Sequence, residues 1–397
     1  MTWRWEHAFL WTTLNKKESM KKILILGAGE MQIPVIQKVN DMGHESIALD
    51  YDEKAVGFEY AQKKYVVSST DAEKVLEVAK KENVDAILTT SDYPVNVVAK
   101  VCKILNLPAM SPEVANICTN KYLQRKLFSD NGINAPKFYL ISDDKTIDEF
   151  TDYPYIVKPV DSSASRGVKK VANIEEMSEA IKEAREYSRT GQVLIEQFIG
   201  GKEFSVETLT QNNITTIVNI TEKLVIGEDY GYFVEDTHIE PARISAEDWT
   251  LIEEQVKKAL TCIKANNCPS HTEVKLWSGK AYIIEMACRL GGDYITSDLV
   301  PLSTGIDMLA NLVHIALGEP IDVEKKISKI SMVQFLNQEN YEHCQEFIEG
   351  NKDCISRFEV KPKHNHPIKS SLDRMGYIIM QLDSHKQCEE VLQQIKH

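Results

Sequence analysis

The sequence predicts an α/β fold, a doubly wound parallel sheet, in its first hundred residues, followed by α+β architecture and a small C-terminal α+β cap. Three observations carry this. Short apolar runs alternate with amphipathic helical stretches from Lys21 to Leu105. A later segment, HTEVKLWSGKAYIIEMACRLGGD, reads as a hairpin running into a glycine turn. The tract from about Ile327 to His397 mixes strand and helix patterns, and a chain of 397 residues exceeds what one compact core holds, so two or three domains are expected.

Each element follows in order. KKILILG is a short, fully apolar strand, and GAGEMQIPVIQKVNDMG continues as a turn and an amphipathic helix ending near Gly43. The strands SIALD, YVVSS and DAILTTSD come next, with a charged helix from about Asp71 to Asn83 and another from about Pro94 to Leu105. Strands alternating with helices imply a parallel sheet whose carboxyl ends form a ligand crevice, which places Gly27, Gly29, Asp50, Ser91 and Asp92 near one edge of a cleft. The Gly27-Ala28-Gly29 turn invites a dinucleotide reading, but Gln32 stands where a third glycine belongs. A substrate-facing loop and a purely structural tight turn remain the alternatives.

A second unit starts with the helical stretch from Ser111. Asn120 or Thr119 caps a helix carrying Lys121, and Gly132 stops it. The strand YPYIVKP carries Lys158 and ends at Pro159, the polar loop DSSASRG follows, and then come VKKV, a charged helix from Ile174 to about Arg189, VLIEQFI and KEFSVETLT. A further helix runs from Asp307 to Gly318.

The formal net charge of −13 argues against a nucleic-acid or anionic-membrane surface, and no apolar run reaches the roughly 18 residues that span a bilayer. The eight cysteines show no CxxC pair or zinc spacing, which fits reduced, buried thiols in a cytoplasmic protein. Residues 1–19 hold three of the five tryptophans and make a poor signal peptide, so they read as a poorly ordered extension, with Met20 opening the first core strand.

Ser162 to Gly167 forms a hydroxyl-rich loop with one arginine, which suits phosphate oxygens, although an ordinary solvent-exposed turn would look the same. Lys158, at the end of an apolar strand directly before it, would point a cation where a phosphate lies. Glu273 and Glu285 sit in a hairpin whose turn contains Ser278-Gly279, and an odd loop centred on Gly279 would set them directly opposite. Two facing carboxylates make a hard-oxygen site for Mg²⁺, and a one-residue slip would destroy it. Without a metal, Lys275 and Arg289 would have to neutralise them. Arg289 precedes Gly291-Gly292, where backbone can approach a ligand and the guanidinium fork matches phosphate or carboxylate.

In this order, NKYLQRKL, YIVKPVDSSASRGV, VLIEQFIGGKEFSVE, TEVKL and IIEMACRLGGD resemble the ATP-grasp superfamily, in particular its carboxylate–amine ligases of the amino-acid ligase type. The resemblance runs from Lys21 to the C terminus. It implies a pre-ATP-grasp domain at 20–110, a two-lobed ATP-grasp domain at 111–325 with a mobile lid at about 135–200, and a C-terminal α+β subdomain at 326–397. It further implies ATP and Mg²⁺, with Mn²⁺ as an alternative ion, small-molecule acid and amine substrates, and homodimers as in many relatives. Lys121 and Lys158 match phosphate-contacting lysines, and Ser162, Ser163, Ser165, Arg166 and Gly167 match the loop that closes over the triphosphate. Glu196 with the Phe198-Ile199 backbone matches the adenine hinge, and Glu203 the ribose acid. Glu273 and Glu285 match the metal ligands. Arg289, with Lys158, matches the catalytic cations. Ala287 stands where many members carry asparagine, and Ala164 replaces a frequent glycine. Bicarbonate activation and a noncatalytic nucleotide-binding module are the rival readings. His238 and Lys223 stand where related ligases approach substrate and nucleotide, with packing roles equally open, whereas His44 and His271 read as ordinary packing.

Overall fold

The structure is a computed structural model that describes residues 19–141, 147, 149–162, 165–366 and 370–396. The tryptophan-bearing segment lies outside the described residues, as do Ser163 and Ala164.

The first sheet is built from β1 (Lys22–Leu26), β2 (Glu45–Asp50), β3 (Lys63–Val66) and β4 (Ala86–Leu88), all parallel in the order β3-β2-β1-β4. Helix Ile33–Asp41 joins β1 to β2, Ala72–Glu82 joins β3 to β4, and Val95–Leu105 follows β4. The buried middles of β1 and β2, Ile23 to Leu26 and Ile47 to Leu49, are apolar because helices cover both faces, which is the expected doubly wound arrangement. The charged helix starts where its cap residue dictates: the Asp71 side chain accepts from the Lys74 N–H, and Asn83 ends it in a left-handed conformation.

The second sheet is antiparallel, β5 (Phe138–Ile141), β6 (Tyr155–Pro159), β7 (Lys169–Val171) and β8 (Val193–Gln197) in the order β5-β8-β6-β7, with helix Ile174–Tyr187 against it. This small lobe has its own core, with Val157, Val171, Met177 and Ile195 at its centre.

The third sheet is the spine of the molecule. It contains β9 (Lys202–Gln211), β10 (Ile214–Ile226), β11 (Val234–Glu240), β12 (Cys268–Trp277), β13 (Lys280–Ala287), β14 (Ile330–Phe335), β15 (Ile355–Val360) and β16 (Gly376–Leu382). All are antiparallel, in the order β13-β12-β9-β10-β11-β14-β16-β15. The C-terminal α+β stretch joins the central sheet, where β14 pairs directly with β11. The long helix Ala246–Cys262 packs beneath the other end.

Two local devices set the hairpin that carries the acidic pair. Its turn has two residues, Ser278 at φ 50° and Gly279 at φ 73°, both left-handed as a tight primed turn requires. Such a turn pairs Trp277 with Lys280 and Val274 with Ile283, a register that would pair Glu285 with Thr272. A bulge beside Glu273/Val274 inserts one residue and brings Glu285 opposite Glu273. The opposition expected from an odd loop is thus reached by an even loop plus a bulge.

Candidate active site

A cavity of about 290 Å³ opens between the small lobe and the central sheet, closed at one end by the first domain. Into it turn Lys121, Lys158, Ser162, Ser165, Glu203, Glu273, Glu285 and Arg289, along with Phe198, Ile199 and Asp92. Of the residues placed near the cleft edge by the parallel sheet, only Asp92 lines this cavity. Asp50 instead accepts the Ala28 N–H at 2.8 Å and so braces the Gly27–Gly29 turn.

Lys121 opens helix Lys121–Asp130, whose cap is Asn120. Its ammonium donates at 2.7 Å to the Ser162 carbonyl and at 2.7 Å to Glu285 Oε1. One helical turn later, Arg125 is fully buried and meets Glu196: Nε lies 2.7 Å from Oε1, though poorly aligned for a hydrogen bond, and Nη2 donates to Oε2 at 3.2 Å. Lys158 reaches the same carboxylate at 2.7 Å. Burial pulls the Lys158 ammonium below its usual value and Glu196 opposes that pull; burial pushes the Glu196 carboxyl up, but Arg125 and Lys158 outweigh it and hold it low. Glu196 itself lines the cavity. Its carboxylate is committed to two cations, and the neighbouring Phe198-Ile199 segment lines the cavity.

The faces of β13 explain how Glu285 reaches the cavity. Ala281 and Ile283 point into the core, and so do Met286, Cys288 and Leu290, so the inward parity switches from odd to even across the bulge. Both Ile284 and Glu285 consequently face the cavity. On β12, strict alternation presents His271, Glu273 and Lys275 to it.

Lys223 from β10 sits among three acids, 2.8 Å from Glu203, 3.0 Å from Glu273 and 3.7 Å from Glu235. Burial lowers its pKa, yet these carboxylates raise it well above the usual lysine value. Glu273 is held low in turn: burial works against it and Lys223 prevails. Glu203, expected to meet ribose hydroxyls, faces the cavity while paired with Lys223.

The far end of the cavity has its own ion pairs. Arg289 donates to Asp92 through Nε at 2.7 Å and Nη2 at 3.1 Å, and Nη1 donates to the Leu290 carbonyl. Asp92 stays low because the nearby guanidinium outweighs burial. Arg374, from the C-terminal stretch, donates to Glu235 at 2.8 Å and Asp293 at 2.9 Å, and Asp293 lies 3.6 Å from His238 Nε2. Glu207, fully buried, holds His271 Nδ1 at 2.5 Å and accepts the Gly291 N–H. His271 therefore lines the site instead of merely packing. Arg166 departs from expectation: it does not line the cavity, and its guanidinium lies against Tyr93.

Sequence reasoning missed Arg125, Glu207, Glu235, Asp293 and Arg374. Arg125 and Glu207 left a trace, four residues from Lys121 on a helix and four from Glu203 on a strand, hence on the same faces. Arg374 left none, because its partners are 139 and 81 residues away.

The donor set fits Mg²⁺. Glu273 and Glu285 pair across the hairpin and both line the cavity. A few carboxylates completed by phosphate oxygens and waters are how this ion is usually held.

Residues 151–298 match the family model described as an ATP-grasp domain. The chain carries an ATP-grasp domain. Similarity to other proteins extends well beyond that segment. It is 28% identical over 236 residues to the formate-dependent phosphoribosylglycinamide formyltransferase of Sulfurisphaera tokodaii, covering 56% of this chain and 58% of that protein. It is 23% identical over 314 residues to the uncharacterized protein y4rH of Sinorhizobium fredii, covering 75% and 63%. The chain thus spans about three fifths of the length of these relatives. Among solved structures, the L-amino acid ligase from Bacillus licheniformis superposes with a TM-score of 0.79 at 22% identity, covering 94% of this chain and 96% of that one. The N5-carboxyaminoimidazole synthetase from Staphylococcus aureus complexed with ADP gives 0.77 at 17%, covering 95% and 97%. These superpositions show that the fold of those two proteins extends over nearly the whole chain.

Proposed function

We propose that this chain is an ATP-dependent carboxylate–amine ligase that activates a small acid as an acyl phosphate and passes the acyl group to an amine. One observation carries the reading: Lys121, Lys158, the opposed Glu273 and Glu285, and Arg289 all turn into a single cavity. Phosphoryl transfer asks a protein mainly for positioning and charge neutralisation, and this set supplies both.

In the proposed reaction, a carboxylate oxygen of the acid attacks the γ-phosphorus in line, and the bond to the β–γ bridging oxygen breaks to release ADP. Lys121 and Lys158 hold the phosphates, with Glu196 keeping Lys158 charged inside the protein. Arg289 steadies the transferring group, oriented by Asp92. The amine nitrogen then attacks the acyl carbon, phosphate departs, and the ammonium proton is lost to solvent or phosphate. Glu273 and Glu285 would hold Mg²⁺, which supplies charge neutralisation at the phosphate oxygens, and Mn²⁺ would suit the same hard donors. The small lobe excludes water from the acyl phosphate. Unpaired thiols support a reducing, cytoplasmic setting, since all eight cysteines are free and six are buried.

A coupled ADP-release screen over pairs of amino acids, with mass detection of the condensed product, tests this reading. ADP release that depends on bicarbonate would replace it with a carboxylase. Tight nucleotide binding with no ADP from any pair would replace it with a noncatalytic module.

A further inference from the structure

The loop that follows β4 carries Asp92 and Tyr93, and these neighbours serve different lobes. Asp92 grips Arg289 at the end of the central hairpin. The Tyr93 side chain meets two arginines of the small lobe. Arg166, from the loop between β6 and β7, donates through Nη2 to the Tyr93 hydroxyl, and its guanidinium carbon lies 5.9 Å from the ring centroid. Arg189, from the turn after helix Ile174–Tyr187, places its guanidinium carbon 5.3 Å from the same centroid. Arg189 is itself tied to the start of the β6–β7 loop, its backbone N–H donating to Asp161 Oδ1 at 3.1 Å. Two cations converge on one ring, whose electron-rich face and hydroxyl oxygen attract both, and Asp161 Oδ2, 4.0 Å from Arg189 Nε, adds to the hold on Arg189.

We propose that Tyr93 is a positioning residue for ATP: it docks the phosphate-facing loop of the small lobe onto the first domain, beside the residue that aims Arg289. One short loop thus registers both the cover over the triphosphate and the cation beside the transferred group. Naming ATP as the ligand rests on the proposed function; the docking itself belongs to the ligand-free chain.

Limited trypsin digestion of the full chain, followed by mass mapping, reads the docking. Tyr93→Ala should speed cleavage after Arg166 and Arg189 by about tenfold, while Tyr93→Phe, which keeps the ring, falls between it and the unmodified chain. Cleavage after Lys325, remote from the small lobe, should not change. Titration with magnesium AMP-PNP should show binding weakened about tenfold by Tyr93→Ala and less by Tyr93→Phe. Cleavage of Tyr93→Ala at the unmodified rate, or equal acceleration at Lys325, overturns the proposal. If the unmodified chain fails to bind magnesium AMP-PNP, the nucleotide reading falls and the digestion alone decides the docking.

Discussion

Glu196 shows how one side chain can make a buried cation tolerable. Lys158 sits in the interior, where an isolated ammonium would shed its proton, and Glu196 shares its charge between Lys158 and Arg125. Glu196→Gln would leave two buried cations without a counter-ion, a change worth about 3–5 kcal/mol by the usual cost of breaking a buried pair. Urea unfolding of that variant should show the loss, and an unchanged midpoint would mean that the triad is dispensable. Arg289→Ala removes one electrostatic stabiliser and should lower turnover about 10²- to 10³-fold while magnesium AMP-PNP binding largely survives. Full turnover in that variant would refute its assignment. Lys158 and Arg289 were legible because each stands beside a distinctive loop, a hydroxyl-rich stretch or a Gly-Gly pair. Asp92 and Glu196 were legible as cleft and hinge residues but not as the partners of Arg289 and Lys158, because these contacts form between distant stretches of sequence, 197 residues apart for Asp92 and Arg289, and a single chain carries no mark of such pairings.

At the level of elements, hydrophobic rhythm exposed most strands and several caps, yet it misread the central hairpin in an instructive way. The inward positions 281 and 283, then 286, 288 and 290, contain the bulge as a parity change, and a strict count along the strand would have found it. The tracts that became β10, β11 and helix Ala246–Cys262 were passed over, since β10 and β11 carry Asn, Thr, Glu and His inward and so lack an apolar alternation. Turn chemistry at the hairpin gives a paired test. Gly279 has φ 73° and open space around it, so Gly279→Ala should cost only backbone strain, roughly 1 kcal/mol. Gly201, at φ 85°, would drive a new methyl into the Leu276 carbonyl, and Gly201→Ala should cost more than about 3 kcal/mol. Comparing their denaturation midpoints settles the matter, and equal losses would contradict the packing described around Gly201.

For the whole molecule, pH acts through Glu240 on β11. Its carboxylate is fully buried and accepts from Asn219 at 2.8 Å, Thr221 at 2.8 Å and Ser303 at 2.9 Å, with no cation among these donors. Burial pushes its pKa up from 4.5 to about 7, and the three donors only moderate that shift. The folded chain therefore holds this proton more tightly than the unfolded one. Its contribution is most favourable below about pH 4.5, declines as pH rises to about 7, and is flat beyond, a total change of about 3 kcal/mol. Glu240→Gln should flatten the stability profile between pH 5 and 7, read as unfolding midpoints across that range; an unaltered slope would show that Glu240 is not the titrating group. The same strand joins the two ends of the spine: Glu240 pairs with Ser331 and His238 with Val333. A shortened chain stopping at residue 325 would strip β11 of that neighbour and present a ragged border of unmet amides and carbonyls. Such a border seeks another strand, so the trimmed product should self-associate or precipitate, and a minimal version must keep its tail.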